Sequence, residues 1–104
     1  MLTETALFAK DFIHPSGIIL ESAELLASAA VKGLSESERV SIAMAGMSVV
    51  SSSYFNIILR RVLEAYGRDA LDRVHLSSTS SLLRQIFERS REAARRLSVH
   101  EDRN

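Results

Sequence analysis

The chain has 104 residues, of which 46% are hydrophobic and 25% charged, and roughly 100–200 residues make one domain, so a second core is excluded. It has no cysteine, which excludes disulfides, thiolate metal sites, a cysteine nucleophile and thiol redox chemistry, and fits a reducing compartment such as the cytoplasm. Thirteen basic residues balance thirteen acidic ones, so the net charge of zero carries no global bias toward nucleic acid or an anionic membrane.

The N-terminal stretch lacks a basic start followed by a long apolar core, so it does not read as a secretory signal. Thr5 to Ala9 suits a short strand, with Leu7 and Ala9 on one side. His14-Pro15-Ser16-Gly17 is a turn, because proline fixes its own φ and glycine tolerates positive φ. Ile18 to Leu20 is a short strand or the lead-in to a helix. Glu21 to Lys32 is rich in Ala, Leu and Glu, with Ala23, Leu26, Ala27, Ala30 and Val31 on one helical stripe. Gly33 is expected to end that helix as a C-cap, and Ser35 to Glu38 to form a polar loop.

Arg39 to Met44 is the clearest strand. Val40, Ile42 and Met44 share one face and small Ser41 and Ala43 the other, so both faces are expected to be buried in a middle strand covered by helices. Ala45-Gly46 is a turn and Met47 to Val50 a connector. Serines 51 to 53 are expected to cap a helix running to Tyr66, with Phe55, Ile58, Leu59, Val62 and Tyr66 as its apolar stripe and Gly67 closing it. Val40 to Leu59 is uncharged and long enough to span a bilayer, but its six polar positions, three of them consecutive serines, identify it as strand, turn and helix start rather than a membrane span. Arg73 to Leu76 is a further short strand. After a hydroxyl-rich stretch from Ser77 to Ser81, the last helix runs from Ser80 to Leu97, burying Leu82, Leu83, Ile86, Phe87, Ala94 and Leu97. Residues 1–4 and 98–104 are expected to fray. Strands alternating with helices imply an α/β sandwich: a small, mostly parallel or mixed sheet with about three helices.

Catalytic and cofactor signatures are sparse. His14, His75 and His100 lie on a turn, a strand and the tail, with no pair at metal-ligand spacing, and neither phosphate-binding glycine motif occurs. No cofactor and no metal are expected, and a non-catalytic interaction module is the better reading. A serine nucleophile at Ser52 or Ser53 would need His75 as its base. Charge is uneven along the chain: residues 1–40 carry three basic against six acidic groups, and the remainder ten arginines against seven acids. Arg84, Arg89, Arg91, Arg95 and Arg96 concentrate the excess in the last helix. This motivates an alternative reading as a nucleic-acid- or anion-binding regulator, although no aromatic residues interleave with them.

The stretch from Val40 to Val62, VSIAMAGMSVVSSSYFNIILRRV, resembles the STAS domain (sulfate transporter and anti-sigma factor antagonist), and within it the STAS-like family of bacterial proteins. In STAS domains an apolar strand leads to a small turn, a connector and Asp-Ser-Ser-Gly at a helix N-terminus, and the STAS-like branch typically has Ser-Ser followed by an aromatic residue, as in Ser52-Ser53-Tyr54. Here Val40 to Met44, Ala45-Gly46-Met47, Val49-Val50 and Ser51-Ser52-Ser53-Tyr54 occupy those places without a gap. Downstream, Tyr66-Gly67, an acidic loop, Arg73 to Leu76 and a long last helix follow in the family's order. The resemblance implies a STAS-like sandwich and a partner protein, typically a GHKL-type ATPase or serine kinase. It implies binding through Ser51, Ser52, Ser53, Tyr54 and Asn56, and a phosphoacceptor at Ser53 with Ser52 beside it. Ala43 and Ser51 replace the family's usual aspartates, and Asn56 and Ile57 its frequent acids. An exposed sheet edge would also allow a homodimer.

Overall fold

The computed structural model describes residues 2–47 and 50–102. Three parallel strands, β1 (Glu4–Phe8), β2 (Arg39–Ala43) and β3 (Val74–Ser77), lie side by side in chain order. The helices are α1 (Ile19–Glu36), α2 (Ser52–Tyr66) and α3 (Ser81–Asp102), with 3-10 turns at Ala9–Asp11 and Arg68–Arg73. The sheet is therefore wholly parallel rather than mixed.

Consecutive parallel strands laid in chain order, each joined by a right-handed crossover, put every helix on the same face. The burial pattern agrees. Val40, Ile42, Val74 and Leu76 are buried beneath helices that pack on one another as α1–α2–α3. Glu4, Ala6 and Phe8 on the opposite face are exposed, and Arg39, Ser41, His75 and Ser77 are half-buried. The expectation that β2 is covered by helices on both sides is thus corrected. It is the middle strand, and on its second face Arg39 and Ser41 are half-buried while Ala43 is buried.

One apolar cluster joins Leu26 and Ala30 of α1, Val40 and Ile42 of β2, Phe55, Ile58, Leu59 and Val62 of α2, and Phe87 of α3. Phe55 stacks edge-on against Phe87, with ring centroids 5.4 Å apart, linking α2 to α3.

Several boundaries move for identifiable reasons. Ile18 to Leu20 is the lead-in to α1, which Ile18 precedes and Ile19 begins. Gly33 does not end α1. The helix continues to Glu36, and a Cβ at Gly33 would sit 2.8 Å from Val40 Cγ2 and 3.2 Å from Thr5 Cγ2, so glycine is there to let helix and sheet approach. Gly46 and Gly67 do take positive φ, at a tight turn and at the end of α2. The strand expected at Thr5 to Ala9 begins at Glu4, and the last strand begins at Val74. α3 continues through residues expected to fray, to Asp102. No helix among the described residues is long and apolar enough to cross a membrane.

Candidate functional site

The turn Met44–Met47, closed by the Met47 amide on the Met44 carbonyl at 3.0 Å, carries the chain from the C-terminal end of β2 toward α2. Val49, on which part of the motif falls, lies outside the described residues. Ser51 is the residue before the first turn of α2, in extended conformation, yet its hydroxyl makes no capping bond. Ser51, Ser52 and Ser53 are all exposed, and their hydroxyls have no partner among the described residues. The expected cap is therefore absent here. The cap that does form is Ser80, whose Oγ accepts the Leu83 amide at 3.1 Å at the start of α3. The Tyr54 amide turns back on the Ser51 carbonyl at 3.1 Å, which leaves the Ser52 and Ser53 amides without a partner among the described residues, at the positive end of the helix.

Asn56 is exposed one turn further on, on the same surface as Ser52. Tyr54 departs from the expectation of a surface contact. It is fully buried, and its hydroxyl has no hydrogen-bond partner among the described residues. Burial pushes its pKa up to about 12, so it stays neutral. Tyr54 supports the segment from beneath by an edge-on contact with Phe55 at 5.5 Å.

Ser52 and Asn56 form one wall of a groove between α2 and α3. Two adjoining hollows of 310 and 440 Å³ share Asn56, Ser90 and Ala93. Arg60 and Leu63 continue the α2 wall, and Ile86, Arg89 and Leu97 the α3 wall. Ser90 is buried and donates to the Ser52 carbonyl at 3.4 Å, tying the two helices at the upper end. Sequence reasoning missed this groove because it assigned Leu97, together with Leu82 nearer the start of α3, to the core; Ile86 does pack against the core, half-buried, while lining one hollow. In the fold Leu82 is 64% exposed and Leu97 38%. Their places in the core are taken by Ser90 and Arg91. Tyr66, also expected in the core, is exposed and donates its hydroxyl to the Val31 carbonyl.

The arginines of α3 divide by function. Arg91 is buried, lies 4.8 Å from the centre of the Phe87 ring and donates to the Val74 carbonyl at 2.7 Å. It also pairs with Glu88 and Asp72. Arg84 reaches the Leu76 carbonyl at 3.5 Å, and Arg95 pairs with Asp72 and Glu92. The outer edge of β3 is therefore blunted by side chains of α3. Arg89, Arg96 and Arg60 make no ion pair among the described residues.

His75 lies elsewhere. It lines a hollow with Glu38, Arg39, Asp72 and Arg73 at the N-terminal end of the strands, whereas α2 is reached from their C-terminal end. It makes no hydrogen bond to Ser52 or Ser53. Burial lowers its pKa, helped by Arg39 and Arg91. One serine–histidine–carboxylate cluster exists that the sequence reading did not single out. His14 Nδ1 is 2.9 Å from Ser16 Oγ and 3.0 Å from Glu21, and Ser16 Oγ donates to Glu21. A nucleophile–base–acid relay uses one ring nitrogen for each partner. Here a single nitrogen faces both, and Ser16 Oγ also accepts the Ile18 amide, so the cluster locks the turn before α1. Among the described residues no group of three or more histidines and carboxylates is placed to hold a metal.

No protein-family model matches the chain, and neither do curated proteins or solved structures. The fold and site define a small α/β protein with a three-stranded parallel sheet and an uncapped, serine-bearing helix N-terminus.

Proposed function

We propose that this chain is a STAS-like, non-catalytic interaction module of the bacterial cytoplasm. It binds a partner of the GHKL-type ATPase or kinase class through Ser51, Ser52, Ser53 and Asn56, and phosphorylation at Ser53 or Ser52 switches it. The observation that carries this reading is the exposure of three consecutive serines whose hydroxyls do no capping at the N-terminus of α2. Side chains free of a structural task at a helix N-terminus are open to a kinase. A phosphate added there gains from the helix dipole and from unpaired amides. The same added charge repels or mis-hydrates a partner packed on that surface. The parallel sheet with α2 following the β2 turn, and the gap-free motif from Val40 to Tyr54, support the STAS-like assignment.

The test is co-expression with GHKL-type kinases from the source, followed by intact-mass measurement. One added phosphate, lost in Ser53→Ala or Ser52→Ala, is the expected result. A chain that is neither modified nor bound by any such protein overturns the reading.

The alternative, a nucleic-acid- or anion-binding regulator, rests on fewer groups than the count of arginines suggests, since Arg84, Arg91 and Arg95 are engaged within the fold. A steep loss of oligonucleotide binding with rising salt would support it.

A further inference from the structure

We infer that the groove between α2 and α3 is the docking site for an acidic, amphipathic helix of a partner protein. The inference rests on the interaction-module reading above and names the chemistry of what that surface receives.

Three independent observations converge on it. The first is shape. The two hollows adjoin, sharing Asn56, Ser90 and Ala93, and small residues on α3 allow another backbone to come close. The second is unpartnered apolar surface. Leu82, Ala93 and Leu97 are exposed at helical spacing along α3, beside its buried stripe of Phe87, Ser90, Arg91 and Ala94, and half-buried Ile86 lies between the two stripes and packs against the core. This second stripe is more than the core uses. From Leu82 to Leu97 it runs about 22 Å at 1.5 Å per residue, the length of a helix of about 15 residues.

The third is charge. Arg60 stands on the α2 wall and Arg89 on the α3 wall, and no acidic residue lines either hollow. Neither guanidinium is in an ion pair among the described residues, whereas Arg61, Arg91 and Arg95 each hold a carboxylate. An apolar floor between two unneutralised arginines fits a helix with leucine-type residues on one face and Glu or Asp on its flanks. A nucleic acid fits less well, because no aromatic residue lines the groove to receive a base.

The site also explains how the serine motif would regulate binding. Ser52 and Arg89 line the same hollow. A phosphate on Ser52 would bring negative charge beside Arg89, competing with the incoming carboxylates and repelling them.

The test uses the full chain, isotopically labelled, titrated with three probes. These are an acidic amphipathic peptide of about 15 residues with leucines at helical spacing and glutamates elsewhere, the same peptide with lysines for glutamates, and a single-stranded oligonucleotide. The acidic peptide is expected to shift the amide resonances of Asn56, Arg60, Ser90 and Ala93. Its affinity should drop about tenfold in the double variant Arg60→Glu/Arg89→Glu and also fall in Ser52→Glu. Both variants change exposed side chains, and their unchanged spectra outside the groove would show that the fold is intact. Absence of shifts in the groove, equal binding of the lysine peptide, or oligonucleotide binding at the same residues each overturns the proposal. If a GHKL-type partner binds the double variant as well as the parent, the groove fails and the interaction-module reading stands. If the acidic peptide binds the groove but no GHKL-type protein binds or modifies the chain, the groove stands and the partner class fails.

Discussion

The guanidinium of Arg73 donates from Nη2 to the Leu34 carbonyl at 3.0 Å, joining the lead-in to β3 to the last turn of α1, thirty-nine residues earlier. The same side chain donates to the carbonyls of Ser37 at 2.8 Å and Glu38 at 2.7 Å. Carbonyls at the end of a helix have no partner within it, and a cation there also meets the negative end of the dipole. Arg73 therefore performs the C-terminal capping that the sequence assigns to Gly33.

Replacing Arg73 should show how much this cap contributes. An ammonium lacks the planar fork that reaches three carbonyls at once. Arg73→Lys is expected to destabilise by about 2 kcal/mol, the scale of hydrogen bonds to a charged donor. A denaturant titration that leaves the lysine variant as stable as the parent would remove the cap from the account.

Gly33→Ala tests the close approach of α1 to the sheet. Alanine favours a helix by about 1 kcal/mol over glycine, but its Cβ would meet Val40 Cγ2 at 2.8 Å, on a stiff β-branched side chain. Overpacking costs about 1–3 kcal/mol, so a net loss of stability is expected. A stabilised variant would show that helix and sheet have room to separate.

Tyr54→Phe removes a buried hydroxyl that has no partner among the described residues. An unsatisfied buried polar group costs about 1–3 kcal/mol, so the phenylalanine variant is expected to be at least as stable as the parent, by up to about 1 kcal/mol. A clear loss in thermal unfolding would point to a hydrogen bond made by that hydroxyl.

The two serine-bearing helix starts should respond differently. Ser80→Ala loses a capping bond and is expected to cost about 1 kcal/mol. Ser51→Ala loses none and should stay within about 0.5 kcal/mol of the parent. Equal losses at both positions would mean that Ser51 caps α2 in solution.

His75 gives a pH dependence with a definite sign. Its folded-state pKa is depressed by burial and by Arg39 and Arg91, with Glu4 opposing. Below the ordinary value of 6.5 the unfolded chain therefore binds a proton that the folded chain resists. The stability associated with neutral His75 is present above that pH and is lost as pH falls through it toward the folded-state value. Urea midpoints measured on both sides of it should differ more for the parent than for His75→Gln. An identical slope in the variant would assign the effect to other groups.

Local chemistry made part of this architecture legible. The alternation in Val40 to Met44 marked the middle strand, and the glycines at 46 and 67 marked turns that need positive φ. The stripe Phe55, Ile58, Leu59 and Val62 marked the buried face of α2 because its period is that of a helix. These features depend on residues close in the chain. Most of the serine segment was likewise readable as an exposed helix start, though not the inward turn of Tyr54.

Other features arise only when distant segments meet. Gly33 looks like a terminator until α1 is laid on Val40 and Thr5. Nothing local says that Arg73 supplies the cap instead. On α3 two apolar stripes lie side by side, and hydropathy alone favours Leu82 and Leu97 over Ser90 and Arg91 for the core. The fold reverses that choice. Ser90 meets the Ser52 carbonyl, and Arg91 finds the Val74 carbonyl, the Phe87 ring and two carboxylates. A polar side chain is buried where its partners converge, and that convergence depends on how the helices cross the sheet. Of the two leucines left outside, Leu97 lines the groove, so the chain's pattern of residues implied its α/β class while the packing of α2 against α3 created the groove that we propose as a docking surface.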